Sequence, residues 1–185
     1  MSEVDDLLKA YESFVRLRWD QSLSGPERVW FVVYEPSQER RIRLRLAEFE
    51  NITKKAGHAW HSLDLTDAFA QWMSQHKYRE SYFEEPDLLS SALPAFTDAV
   101  AAQIKEALIA PDVDENTVVV IFGLASLFGL IRVSPTLEKV LSDLRGRLLV
   151  FFPGQHDGSN YRLLDARDGW NYLAVPITAK KWGVD

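Results

Sequence analysis

The stretch VVVIFGLASLFGLIRVSPTLEKVL, Val118 to Leu141, has the outline of a catalytic turn: an apolar strand pattern runs into glycine, passes a serine and reaches a capped helix. Ser126 could serve as a nucleophile only beside a base and an oxyanion hole. The hydrolase elbow reads G-x-S-x-G, and Gly123-Leu124-Ala125-Ser126-Leu127 does not match it. His156 and Asp157 come later and could complete a triad in principle, but adjacent His and Asp in HDGSN read first as ordinary turn composition. The strand also has the look of the one that carries a catalytic acid in P-loop enzymes. At its end stand Gly123, Leu124, Ala125 and Ser126, with no carboxylate to hold magnesium.

Two further constellations could carry chemistry. A phosphate site after the first strand needs a glycine-rich loop so that backbone N–H groups can approach the anion. The residues there are Tyr34-Glu35-Pro36-Ser37-Gln38-Glu39-Arg40, in which two glutamates repel phosphate and Pro36 removes a donor. His58, His61 and His76 raise the question of a metal, but strand residues three apart point to opposite faces, and no acidic pair completes a site. The sequence therefore predicts no catalytic, cofactor-binding or metal-ligating set.

The elements that would position such residues alternate. Leu7, Leu8, Tyr11, Phe14 and Val15 recur at helical spacing and predict a helix over 3–19. RVWFVVYEP is a continuous apolar run closed by Pro36, as in a strand buried on both faces. Ile42, Leu44, Leu46, Phe49 and Ile52 ride a charged helix that stops at Gly57. HAWHSLDL predicts a second strand, with Thr66 as N-cap of the helix after it. Pro86 opens a long helical region through Ala110 that Pro94 kinks or splits. NTVVVIFGL is the clearest strand; then come a helix from Pro135 to about Leu144, capped by Ser134, and the strand RLLVFFPG. YRLLD and NYLAVPI predict a terminal β-hairpin. Apolar strands separated by helices imply an α/β fold: a Rossmann-like or degenerate P-loop-like sheet, mostly parallel, with helices on both faces. No linker or repeat divides the chain, so residues 1–185 are expected to form a single domain, the first helix packing on a core of about 28–178.

With 185 residues, 46% of them hydrophobic and 26% charged, the chain has the composition of an ordinary globular protein. Ten Phe, six Trp and six Tyr imply an aromatic core or an adhesive face. The absence of cysteine excludes disulfides, thiolate metal sites and cysteine nucleophiles. A net charge of −6 disfavours direct nucleic-acid binding. The start of the chain is acidic and amphipathic, unlike a signal peptide, and the longest apolar run is shorter than the roughly 20 residues of a membrane span. A cytoplasmic protein with no membrane partner is expected. Charge is also uneven: across Pro36 to Gly57 six basic residues face three acidic ones, whereas ESYFEEPD is acidic. Beside the reading as solvated faces stands that of a bipolar surface, with Arg41 and Arg45 able to meet an acidic partner.

The second half, from VVVIFGLASLFGLIRVS through VFFPG and HDG to GWNYLAVPI, resembles the BrxB family, a component of bacterial phage-exclusion (BREX) systems. VVYEP, the charged helix and SLDL extend the likeness over roughly residues 28 to 178. The resemblance implies a small non-catalytic subunit without a cofactor, acting by protein–protein contact in antiviral defence. Its implied partners are a PglZ-like protein of phosphatase fold and the other defence-complex subunits. The family's recurring positions, as they stand here, are Gly123, Phe128, Arg132, Ser134, Phe152, Pro153, Gly154, Asp157 and Gly158. Among them Arg132 can grip a carboxylate or phosphate bidentately. Arg132, Asp157, Arg41 and Arg45 are thus the candidate interaction residues. The alternative is a nucleotide or nucleic-acid sensing module using a non-standard pocket around Arg132 and Asp157.

Overall fold

Continuous apolar runs become strands buried on both faces. β1 (Val29–Tyr34), β3 (Thr117–Phe122) and the first part of β4 (Arg147–Asp157) are almost wholly buried, whereas β2 (Ala59–Asp64), at the sheet edge, has only exposed and half-covered positions. The structure, a computed structural model, describes residues 2–166 and 169–179. β7 (Val175–Ile177) closes the other edge, giving the all-parallel order β2-β3-β4-β1-β7. The fold is α/β with a mostly parallel central sheet, as the alternation of elements predicts.

Alternate residues of each strand feed two cores. On one face Trp30, Val32, Val120, Leu149 and Phe151 pack under α1 (Glu3–Val15), α2 (Glu39–Leu44) and α3 (Leu46–Lys55). On the other, Phe31, Val119, Ile121, Val150 and Phe152 pack under α4 (Ala68–Gln75), α6 (Leu93–Leu108) and α7 (Val133–Glu138). Between α4 and α6 lie α5 (Arg79–Glu84) and a 3-10 segment, Pro86–Ser91. The connection from β1 to β2 runs over the first face, and those from β2 to β3 and β3 to β4 return over the second. Opposite directions on opposite faces give every crossover the same hand.

The C-terminal part differs from the expected hairpin. β4 outruns the parallel sheet and folds back through Gly158 and Ser159 onto β5 (Asn160–Leu163), with Gly158 at φ 58°, the left-handed conformation that two-residue hairpin turns place at their first central position. β5 then pairs antiparallel with β6 (Trp170–Asn171), so YRLLD does meet the start of the last segment. The end of that segment leaves this arm and adds Val175–Ile177 to β1 in parallel.

Helix boundaries moved where side chains found tertiary partners. The first helix ends at Val15, and Trp19 stacks on the His58 ring at 3.7 Å, with the Arg147 guanidinium 5.0 Å from its ring centre. The charged helix breaks at Arg45 (φ −111°, ψ 10°) into α2 and α3, which leaves Leu44 78% exposed instead of in the core. Arg45 breaks it to good purpose: Nη1 holds Asp5 of α1 at 2.5 Å and Nε holds Glu48 at 2.6 Å. Gly57 ends α3 as expected, at φ 88°, donating to Lys54 O while His58 donates to Thr53 O, the Schellman pattern. Pro94 splits the long helical region, standing in the first turn of α6. The helix predicted from Pro135 begins instead at Val133; Ser134 lies inside it, its hydroxyl facing Glu138 at 3.4 Å, and a 3-10 turn replaces its last residues.

The Arg45 guanidinium, together with the Ser2 backbone and hydroxyl donors, holds the Asp5 carboxyl well below its ordinary 3.8. A depressed acid contributes stability that is present above its unfolded value and lost as pH falls through the folded one. Wild-type protein is therefore expected to lose stability on acidification below about pH 4. Asp5→Asn should show a shallower loss in urea titrations across that range; an unchanged slope would show that Asp5 and Arg45 do not cooperate.

Candidate functional site

The carboxyl ends of parallel strands are where an α/β sheet binds ligands, because the loops leave there and the core stops. The rim formed by β1, β2 and β3 is occupied by a polar network. Tyr34 at the end of β1 donates to Glu39 Oε2 at 2.5 Å. Arg43, one helical turn beyond Glu39, donates from Nε to Glu39 Oε1 at 2.8 Å and from Nη2 to Thr66 Oγ1 at 2.6 Å, and reaches Asp64 Oδ2 at 3.5 Å. Asp64, the last residue of β2, accepts from both the backbone and the hydroxyl of Thr66. Thr66 is thereby committed to the rim and does not cap α4, whose N-cap is Asp67.

Gly123, at φ 87°, brings the end of β3 against this group. A Cβ there would stand 2.6 Å from Thr66 N and 2.8 Å from Asp64 Oδ1. Burial first, and then the Glu39 carboxylate, push the Tyr34 hydroxyl far above its usual range, so it stays a protonated donor. Chemically the network joins the ends of three strands to α2, with the Arg43 fork spent on its own neighbours. Reading the sequence for a site missed Glu39, Arg43, Asp64 and Thr66. Two signals were available: Glu39 and Arg43 stand at i,i+4, and Asp64-Leu65-Thr66 has the spacing of a side-chain turn.

Two hollows flank the rim. β1 departs toward the α2–α3 face and β4 toward the opposite one, so their adjacent ends form the topological switch point. A crevice of about 400 Å³ opens there, with Glu35, Gln155, Arg162 and Asp165 in its lining. Beyond β3 and β4 lies a larger groove of about 1180 Å³ between the start of α6, residues 128–135 and the β5 arm. Leu93, Phe128, Ile131 and Leu163 give it apolar walls; Arg132 and Lys139 give it positive charge. Phe128 is 41% exposed, and Lys139 is held by Asp98 at 2.7 Å. Arg132 has no ion-pair partner among the described residues.

The candidate residues fall in separate places. Arg132 lines the large groove, while Asp157 sits opposite Asn160 at the end of the β4–β5 hairpin and is not among that groove's lining. Arg41 is exposed on α2, donating to Gln38 at 3.3 Å, and Arg45 is engaged by Asp5 and Glu48. Ser126 is exposed on the turn Leu124–Leu127, and the His156 ring lies against Tyr161 at 5.8 Å. The other histidines are engaged separately: His58 with Asn116 at 2.5 Å, His61 with Asp112 at 3.0 Å, and His76 accepting from Tyr78 N at 3.2 Å. Among the described residues no group of three His, Asp or Glu is placed to hold a metal ion, and no helix is long and apolar enough to cross a membrane. Comparison with protein-family models, with curated proteins and with solved structures finds no match to this chain.

Proposed function

We propose that this protein is a non-catalytic interaction subunit of a bacterial phage-exclusion complex of the BREX type, acting in the cytoplasm and binding a PglZ-like partner of phosphatase fold. The groove beside α6 carries the reading. Its volume of about 1180 Å³ leaves room for a segment of another chain. The mixture of aliphatic walls, a half-exposed phenylalanine and an arginine without an ion-pair partner among the described residues is that of a protein-recognition surface, with aromatic and Arg anchors. The segment that fits it is apolar and carries a carboxylate for Arg132. The rim network supports the same reading, since Arg43 is already saturated by Glu39, Asp64 and Thr66.

The test is co-purification with the PglZ-like protein, comparing wild type with Arg132→Glu and Phe128→Asp. Either substitution is expected to weaken capture by about thirtyfold or more, because a reversed charge or a buried carboxylate at an interface costs at least about 2 kcal/mol. Undiminished capture by both variants would remove the groove from the interface. Failure of wild type to associate with the PglZ-like protein at all would reject the function.

A further inference from the structure

The segment after α4 contradicts the usual behaviour of a short helix. An isolated helix of a few residues is unstable in water and owes its persistence to an apolar face packed on something. Yet across α5 and the 3-10 segment after it no residue is buried, and over 79–91 only Tyr82 and Leu89 are even partly covered. The side chains that would normally supply the packing face outward: Phe83 is 69% exposed and Leu88 47%. Around them stand Glu80, Glu84, Glu85 and Asp87 against the single cation Arg79, and none of the four acids is ion-paired among the described residues. This is an acidic ridge with apolar teeth that none of the described residues covers.

The complementary surface is on the same chain. α2 turns Arg40, Arg41 and Leu44 to solvent, with Leu44 one helical turn from Arg40. The inward residues of that helix are committed elsewhere, Ile42 to the core and Arg43 to the rim. Arg40 and Arg41 have no ion-pair partner among the described residues, and no ion pair joins them to the acidic ridge of their own chain. One surface offers two cations beside an exposed leucine; the other offers carboxylates beside an exposed phenylalanine and leucine, and none of these charges is ion-paired among the described residues.

We infer that α5 and the 3-10 segment of one molecule dock on α2 of a second copy, with Phe83 and Leu88 packing about Leu44 and the Glu84–Glu85 pair meeting Arg40 and Arg41. Because the two patches differ, the contact is head-to-tail, leaving each end free to add another copy until a ring closes or a filament grows. This goes beyond the binding of a PglZ-like partner and uses a different surface, so the two can fail separately.

Sedimentation of the purified chain alone tests it, over a micromolar-to-millimolar concentration series. Wild type is expected to associate at low salt and to dissociate near 1 M, where the Debye length shrinks to roughly 3 Å. Glu84→Lys with Glu85→Lys, and separately Arg40→Glu with Arg41→Glu, should each weaken association by roughly tenfold or more, since like charges then face each other. All four positions are exposed, and a retained far-UV spectrum checks that the fold survives. Mixing the two double variants is the decisive measurement. The first keeps its basic patch and the second its acidic ridge, and the two reversed patches are complementary to each other as well, so the mixture should regain the association that each variant alone has lost. A wild type that stays monomeric throughout, association unaltered by either double variant, or a mixture that stays monomeric would each overturn the inference.

Discussion

Phe31→Ala is expected to lower the unfolding free energy by about 3–5 kcal/mol, the largest single effect anticipated for this chain. Phe31 is fully buried at the centre of an aromatic group: Phe152 stacks on it at 5.2 Å, Tyr172 at 5.6 Å, and Tyr161 meets it edge-on at 4.8 Å. Deleting the ring removes buried area and three ring contacts, and it leaves a hollow that the flanking strands cannot close. The position also joins the parallel sheet to the β5 arm, because Tyr161 belongs to β5 and donates to Ala174 O at 2.7 Å. For a domain of this size the loss corresponds to a fall in Tm of roughly 6–20 °C. Calorimetry or urea unfolding measures it. A shift below that range would mean that the arm, not the sheet, is the weaker part and separates first.

Gly154→Ala acts on the same joint by the opposite physics, overpacking instead of vacancy. Gly154 lies opposite Leu163 where β4 changes from parallel to antiparallel pairing. A Cβ there would stand 2.0 Å from the Arg162 carbonyl oxygen and 3.0 Å from the Phe152 ring. Backbone cannot yield as the end of a flexible side chain can, so β5 must move away from β4 at a cost of about 3 kcal/mol. Two consequences should appear together. Tyr161 leaves the Phe31 group, lowering stability, and Leu163 leaves the groove wall, weakening capture of a partner there. Limited proteolysis is expected to cut the variant in the hairpin before the sheet unfolds. Wild-type stability with an uncut hairpin would show that the strands can shift to accept the methyl group.

Much of the scaffold was legible because its signals are local. VWFVVY, TVVVIF and RLLVFF read as strands since a parallel strand covered on both sides has no polar alternation to keep. Gly57 read as a helix end because the cap needs a positive φ, which glycine adopts without strain. Arg132 read as a candidate contact from its residue type, and in the fold it lines the groove beside α6. The basic character of 36–57 and the acidic character of ESYFEEPD were also plain in the sequence.

What charge and periodicity could not supply was the partner of each group. Arg41 and Arg45 look equivalent in the sequence, two basic residues four apart. In the fold Arg41 is exposed while Arg45 is held by Asp5, forty positions away, and Glu48. Thr66 looks like a cap until Arg43 and Asp64 claim its hydroxyl. Leu44 looks like core until the helix breaks beside it.

The sequence by itself determined the kind of elements, their order along the chain and the layered α/β class, because apolar period, turn chemistry and helix ends are properties of neighbouring residues. Only the tertiary structure decided that the last strand joins β1, that β1 and β4 form the switch point, and which charges remain free at the surface. Those outcomes depend on contacts between distant residues, where a hydrogen bond or ion pair goes to the group that folding brings within reach and not to the nearest one in sequence.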